Sequence, residues 1–374
     1  MRVLQVMSST SVINGIAHAI MNYFRLIDKS KIIFDFLVFS DSPMNFDDEI
    51  ERLGGRVFHF TKPGIKTYFK AKKELKTFFD QHKNEYDIVH CNEVLVAKQV
   101  FYAARKYGNC KTMVSHSHSC RLSDKFTKRI RNRLLVAGLA NKSDYCFACS
   151  SLSATSTFGK RILDSNKYKL IYNAIDADAY SFNEEVREKT RKELGLGDNF
   201  ILGNVGRLDP NKNQIFAIKV LQEILRKRSS TKLLLIGEGK DKEFLEKYVK
   251  INGLESNVMF LGRRHDVAEI LNAMDYFVFP SKHEGLGIAL IEAQASGLPC
   301  CCYENLPKEV YVTQRIKRFE KDSAAAQWAE AILDSVCNDK DRKEDSEKIK
   351  KSNFNIANSV RELENTYFEM RGQR

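Results

Sequence analysis

Two glutamates, three glycines and a helix start share the twenty residues PSKHEGLGIALIEAQASGLP between Pro280 and Pro299. The short aromatic run at 276–279 reads as a buried parallel strand, Gly285 and Gly287 free the backbone, and residues 289–293 are helix formers. A helix therefore opens at a strand end. The amides of Leu286, Gly287 and Ile288, unpaired because they begin that helix, lie at the positive end of its dipole and favour an anion such as a phosphate. Glu284 stands before this position and Glu292 one turn beyond it. Taken singly, each glutamate is also compatible with a solvated surface position.

A second chemical grouping follows the strand at 200–205, where Gly206-Arg207 is succeeded by Lys212. Two cations on one strand-end loop can neutralise a diphosphate, whereas the plainer account is a helix-capping loop with solvated charges. Near the N-terminus Asn14-Gly15 closes a loop that opens a helix and can cradle a phosphate. It lacks G-x-G-x-x-G, which argues against a nicotinamide dehydrogenase. His116 and His118, in Ser115-His116-Ser117-His118-Ser119, follow a strand expected at 111–115; they read as hydrogen-bonding residues, or as an i, i+2 metal pair with no acid close by. Asp176-Ala177-Asp178 spells D-x-D but sits after a linker and before a polar helix, so we read it as coincidence.

These residues need strands to end beneath them. Strands are expected at 2–7, 34–39, 56–60, 87–91, 111–115 and 145–149, alternating with helices at 16–27, 65–82, 94–107 and 126–141. The second half restarts with strands at 200–205, 232–236, 258–261, 276–279 and 300–303. It ends in helices at 323–336, 338–351 and 356–370. Such alternation builds parallel sheets covered on both faces, with ligands at the strand carboxyl ends.

The 374 residues, 43% of them hydrophobic, suffice for two domains with sizeable cores. No apolar stretch reaches a membrane span, and the N-terminus reads as a strand without a signal core, so a cytoplasmic protein is expected. The nine cysteines fall mostly in expected strands and read as reduced core thiols; Cys146 and Cys149 would face opposite ways on a strand. The net charge of +12 is uneven: residues 1–178 carry 28 Lys and Arg against 17 Asp and Glu, the remainder 32 against 31. An acidic partner surface is expected for the first half. Its cations cluster in two helices: Lys66, Lys70, Lys72, Lys73 and Lys76 with Tyr68, Phe69, Phe78 and Phe79, then Lys125, Lys128, Arg129, Arg131 and Arg133 with Phe126 and Ile130. They are either solvated helices with their aromatics turned inward or a dock for an anionic membrane. No nucleic-acid motif accompanies the charge.

The spacing Glu284, seven residues, Glu292, inside G-L-G and before A-x-A-x-G-x-P, resembles the E-x7-E segment of the family-four retaining glycosyltransferases. Gly206-Arg207 with Lys212 is similar to that family's G-R-x-x-x-x-K. The H-S-H sequence resembles its bacterial capsular and exopolysaccharide branch, and Tyr172-Asn173-Ala174-Ile175-Asp176 its P-N-G-[IV]-D linker without the Pro and Gly. Where the family commonly has paired glycines near the N-terminus, only Gly15 matches. Loops at Gly237-Glu238-Gly239 and Gly262-Arg263-Arg264 resemble those lining the nucleotide base pocket.

The resemblance implies a GT-B fold, two doubly wound Rossmann-like domains facing across a cleft. Residues 1–175 would bind the acceptor, with 356–374 packing back on them, and 176–355 would bind the donor. It implies transfer of a sugar from a nucleotide diphosphate, UDP being the commonest, to a lipid-linked saccharide in surface polysaccharide biosynthesis. The catalytic residues would be Glu284, His116, Arg207 and Lys212, with His118 the alternative histidine. Donor contacts would come from Gly15, Gly206, Arg207, Lys212, Gly237, Arg263, Glu284, Leu286, Gly287, Ile288 and Glu292, the last holding the ribose. No metal and no cofactor are implied, and the enzyme would work on the inner face of the cell membrane. A nucleotide-sugar epimerase of the same architecture and a non-catalytic sugar-binding protein are the alternatives.

Overall fold

The structure is a computed structural model describing residues 1–11, 15–40, 42–64, 66–123, 126–335 and 337–372. Val12, Ile13 and Asn14 of the expected phosphate loop, Lys125 of the second basic helix and Val336 at the expected end of the alanine-rich helix lie outside these residues. The chain divides into two compact units, 1–174 with 356–374, and 175–355.

In the first unit the expected alternation yields β1 (Arg2–Met7), β2 (Ile33–Val38), β3 (Val57–His59), β4 (Ile88–Cys91), β5 (Thr112–Ser117), β6 (Tyr145–Ala148) and β7 (Tyr168–Leu170). They pair in parallel in the order β3-β2-β1-β4-β5-β6-β7. Helices on both faces bury every residue of strands such as β4 and β5. The last helix, Ile356–Gly372, is part of this unit and sets Val360, Leu363 and Tyr367 against Phe24, Phe34 and Phe36. Burying each such side chain stabilises the unit by about 2 kcal/mol before entropy is counted.

The second unit repeats the plan with β8 (Phe200–Val205), β9 (Thr231–Ile236), β10 (Val258–Gly262), β11 (Tyr276–Phe279), β12 (Cys300–Tyr303) and β13 (Ile316–Phe319), in the order β10-β9-β8-β11-β12-β13. Each order reverses once, between β1 and β4 and between β8 and β11. Doubly wound sheets bind ligands outside the strand carboxyl ends at such a reversal. The loops carrying Lys212 and Glu284 follow β8 and β11, the two strands that flank it.

Several elements differ from expectation. β5 continues to Ser117, so His116 lies inside the strand. The helix expected at 126–141 breaks at Gly138, whose φ of +69° is left-handed, into Phe126–Val136 and Leu139–Lys142. β7, β13 and the helices Asp47–Arg52 and Ser151–Phe158 are additional. The cysteines are free; seven are buried and Cys120 and Cys337 partly exposed. Among the described residues no helix is long and apolar enough to cross a membrane.

The inward account of the basic helices holds only in part. Phe78 and Phe79 of the helix Tyr68–Gln81 join the core, whereas Phe69 is 82% exposed. On the helix Phe126–Val136 the inward account fails: Phe126, Ile130 and Leu134, spaced one turn apart, all face solvent because that helix buries only Asn132 and Val136.

Candidate active site

Three strand-end loops of the second unit are laced together beside the β8–β11 reversal. The Gly206 amide donates to the Ile236 carbonyl at 2.9 Å, Gly237 to Gly262 at 2.8 Å, and Leu208 to Glu238 at 3.1 Å. At Gly237 the φ of +135° and a would-be Cβ only 2.2 Å from the Gly206 carbonyl oxygen exclude any side chain. The loop after β8 is thereby held close against its neighbour.

Asp209 organises that loop. Its Oδ1 accepts from the Asn211 and Lys212 amides at 3.0 and 3.1 Å, and its Oδ2 from Arg207 Nε at 2.6 Å. Burial alone would raise this carboxyl, yet the Arg207 guanidinium and the loop amides hold it below the ordinary carboxylate range. Arg207 itself projects outward, its side chain 71% exposed.

Lys212 turns inward instead. Its Nζ donates to Glu284 Oε1 at 2.7 Å and lies 5.4 Å from the centroid of the Phe279 ring. Both partners are largely enclosed, with 20% and 12% of their side chains exposed. The two loops are bonded directly, Asn211 Nδ2 donating to the His283 carbonyl and the Lys282 amide to Asn211, each at 2.9 Å. A cation and a carboxylate are thus fixed together where the helix Ile288–Ala295 begins. That helix starts from Gly287 at a φ of +99°, and Leu290 and Ile291 bond back to the Gly287 carbonyl. The earlier amides, Leu286 to Ile288, have no preceding turn to accept from them.

Glu292 lies one turn along. Burial pushes its carboxyl up to about 7, while Tyr180 and Lys212 pull the other way. Tyr180 Oη donates to Glu292 Oε1 at 3.1 Å, and the Tyr180 carbonyl accepts from Ser296 Oγ at 2.8 Å, so this residue is tied to the helix at two points. Sequence reasoning missed Tyr180, because nothing local marks a tyrosine that meets a glutamate 112 positions away. Arg263 directly follows β10, two strands from β8, and is exposed. The D-x-D acids do other work: Asp176 Oδ1 accepts from the amides of Asp178 and Ala179, and Asp178 pairs with Lys350 at 3.1 Å.

The first unit places its candidate residues differently. Gly15 opens the helix Gly15–Leu26 in open space, an added Cβ meeting nothing within 4 Å. The expectation that His116 follows its strand is corrected: as the fifth residue of β5 it is 2% exposed, its Nδ1 3.1 Å from His90 Nε2. His118 is the half-exposed member, its ring 3.9 Å from that of His116. Burial drives both imidazoles towards neutrality, taking His118 down to about 4 and His116 well below the ordinary imidazole value, the latter aided by its two histidine neighbours.

A continuous polar chain supports them. Gln5 Nε2 donates to Tyr367 Oη, which gives its one proton to His90 Nδ1 at 2.6 Å; His90 Nε2–H then faces His116 Nδ1. Asn92 Nδ2 donates to Gln5 Oε1 at 2.8 Å, leaving Asn92 Oδ1 to accept from His118 Nε2 at 2.9 Å, with Asn173 2.9 Å from His118 Nδ1. His116 keeps its proton on Nε2, which has no hydrogen-bond partner among the described residues.

Comparison with known proteins agrees with this architecture. A family model for "Glycosyltransferase Family 4" matches residues 13–179 and one for "Glycosyl transferases group 1" matches residues 186–352. The chain is 29% identical over 372 residues to the putative glycosyltransferase EpsF of Bacillus subtilis, covering 98% of this chain and 96% of that one. It is 24% identical over 298 residues, 77% of this chain and 76% of the other, to the UDP-Gal:alpha-D-GlcNAc-diphosphoundecaprenol alpha-1,3-galactosyltransferase of Escherichia coli. Among solved structures, Anabaena Alr3699/HepE in complex with UDP superposes with a TM-score of 0.80 at 19% identity, covering 99% of this chain and all of that one. With both units matched by such models, and two Rossmann-like sheets arranged as described, the chain belongs to the family-four glycosyltransferases of GT-B fold.

Proposed function

We propose that this glycosyltransferase moves a hexose from a UDP-sugar to a lipid-linked saccharide, with retention at the anomeric carbon, during assembly of a bacterial surface polysaccharide. The observation that carries the reading is the enclosed Lys212–Glu284 pair at the start of the helix Ile288–Ala295. The E. coli relative, whose name specifies a UDP-sugar donor and a diphosphoundecaprenol-linked acceptor, supports the substrate classes.

In this scheme the donor diphosphate lies against the Leu286 to Ile288 amides and draws Lys212 from Glu284, with Arg207 closing from the rim. Glu284, released, accepts from a hydroxyl of the transferred sugar, and Glu292 accepts from the ribose. Gly206, Gly237 and Arg263 line the nucleotide's side of the site. The bond from the anomeric carbon to the diphosphate oxygen breaks, the acceptor oxygen bonds to that carbon from the same face, and its proton passes to the departing diphosphate. Lys212, Arg207 and the helix amides stabilise the charge that develops there. The scheme assigns no step to a metal ion or cofactor. His118 takes the histidine's role, trading one amide partner for a sugar hydroxyl, with His116 behind it. The exposed Phe69, Phe126, Ile130 and Leu134 among lysines and arginines seat the protein on the anionic inner face of the membrane.

The test is acceptor-dependent release of UDP from UDP-sugars supplied with a diphospholipid-linked saccharide, with the product linkage read by NMR. We expect the donor's anomeric configuration to be kept, and turnover to survive a chelator. Inversion, arrest by the chelator, or UDP release indifferent to acceptor would each remove the corresponding part of the proposal.

A further inference from the structure

Between the helices Tyr68–Gln81 and Ala97–Lys106 of the first unit lies a groove of about 310 Å³. Buried Leu75 and Ala103 form its floor, Lys72 and half-buried Lys98 reach into it, and Tyr68 and Tyr102 stand on its walls. The cations divide by what they touch. Lys106 Nζ donates to Tyr102 Oη at 2.9 Å and Lys76 Nζ lies 5.5 Å from the Tyr107 ring centroid, so both are engaged with phenols. Lys72 and Lys98 form no ion pair among the described residues, and no carboxylate lines the groove. Two ammonium groups over a small apolar floor match a group that is anionic at one end and hydrocarbon at the other.

A free phosphate would satisfy the lysines and leave the rest of the surface bare. Tyr68, Phe69 and Tyr102 are 40%, 82% and 53% exposed beside the groove, an aromatic shelf that costs free energy in water and is stabilised at a membrane interface. Lysine stems lie along apolar surface while their heads seek phosphate. The geometry points to a discrete site for one acidic phospholipid, its phosphate between Lys72 and Lys98 and its first methylenes over Leu75 and Ala103. This rests on the membrane reading above but adds a saturable pocket to what would otherwise be diffuse attraction between charges.

A short-chain phosphatidylglycerol below its micelle concentration, titrated into the full chain and followed by calorimetry, separates the two. We expect one-to-one saturable binding, weakened at least tenfold in Lys72→Gln and in Lys98→Gln but unchanged in Lys247→Gln, a charge-matched control in the second unit. Short-chain phosphatidylcholine and inorganic phosphate should both bind at least tenfold more weakly than the acidic lipid. No saturable binding, equal binding by the groove variants, or phosphate binding as tightly as the lipid would each overturn the site. Thermal melts of the variants confirm that they are folded. Cosedimentation with acidic vesicles reports on the membrane reading alone: wild-type protein pelleting without any short-chain binding would end the pocket and keep the membrane, whereas wild-type protein staying in the supernatant would end the membrane reading.

Discussion

The two sheets share a plan yet are equipped in opposite ways at their strand carboxyl ends. Beside β8 and β11 the second unit holds charges in pairs, Arg207 with Asp209 and Lys212 with Glu284, next to a helix N-terminus. In the last residues of β4 and β5 and just after β5 the first unit holds His90, His116 and His118, all driven neutral by burial and joined through amides and a tyrosine. Paired charges can exchange partners with an incoming anion at little desolvation cost, whereas a neutral chain offers directional hydrogen bonds without attracting a diphosphate. One sheet end is built for charge that moves, the other for hydroxyls that must be oriented.

Breaking the charged end should have the largest effect. Lys212→Ala removes an enclosed stabiliser of the leaving diphosphate and should lower kcat by about a hundredfold or more, equivalent to roughly 3 kcal/mol. Arg207→Ala should cost less, because its solvated position leaves water to take its place. Single-turnover rates would settle the ranking; near-normal chemistry without Lys212 would take the diphosphate from this loop.

The glutamates sharpen the contrast within that end. Glu284→Gln should depress the chemical step with little change in UDP affinity, and Glu292→Gln should weaken UDP binding with a smaller effect on kcat. Unaltered UDP affinity in Glu292→Gln would dismiss the ribose role.

Much of this was legible before any coordinates. The run Tyr276–Phe279 followed by two glycines and a helix former series can fold in few ways other than strand, loop and helix, and the Lys212 loop is marked by its own glycine and cations. What stayed hidden depends on contacts distant in sequence. β13, with the sequence IKRF, is an edge strand whose Lys317 and Arg318 face solvent, so it carries no apolar run to betray it. The strand reads as ending at Ser115 because the alternation of serine and histidine that follows carries no apolar run, yet the hydroxyls of Ser115 and Ser117 are both bonded in the interior, to Ser143 and to Thr157, each at 2.7 Å. Only the fold shows that polar residues continue this strand.

The histidines test the neutral end and should respond less than Lys212. His118→Ala should lower kcat severalfold to tenfold with melting temperature nearly kept. His116→Ala, which opens a cavity inside β5 and strands His90 Nε2, should chiefly lower the melting temperature. The reverse pattern would return the active role to His116.

The smallest and most specific effect belongs to Tyr180. With the Glu292 carboxyl near 7 and the ionised form needed to accept from the ribose, UDP affinity should rise with pH across the range from about 6 to 8. The linked stability has the opposite slope: the unfolded carboxyl ionises near 4.5 and the folded one near 7, so stability present below about 4.5 is lost as pH climbs towards 7. Glu292→Gln should flatten both profiles. Tyr180→Phe deletes the hydroxyl that favours the ionised carboxylate and leaves the ring's packing in place. Its pKa should therefore move further up, the midpoint of UDP binding should shift to higher pH, and affinity should be reduced severalfold at pH 7 but recover by pH 8.5. A merely structural role for the tyrosine would lower affinity equally at both values, so binding isotherms for the wild type and Tyr180→Phe at pH 7 and pH 8.5 decide between the two.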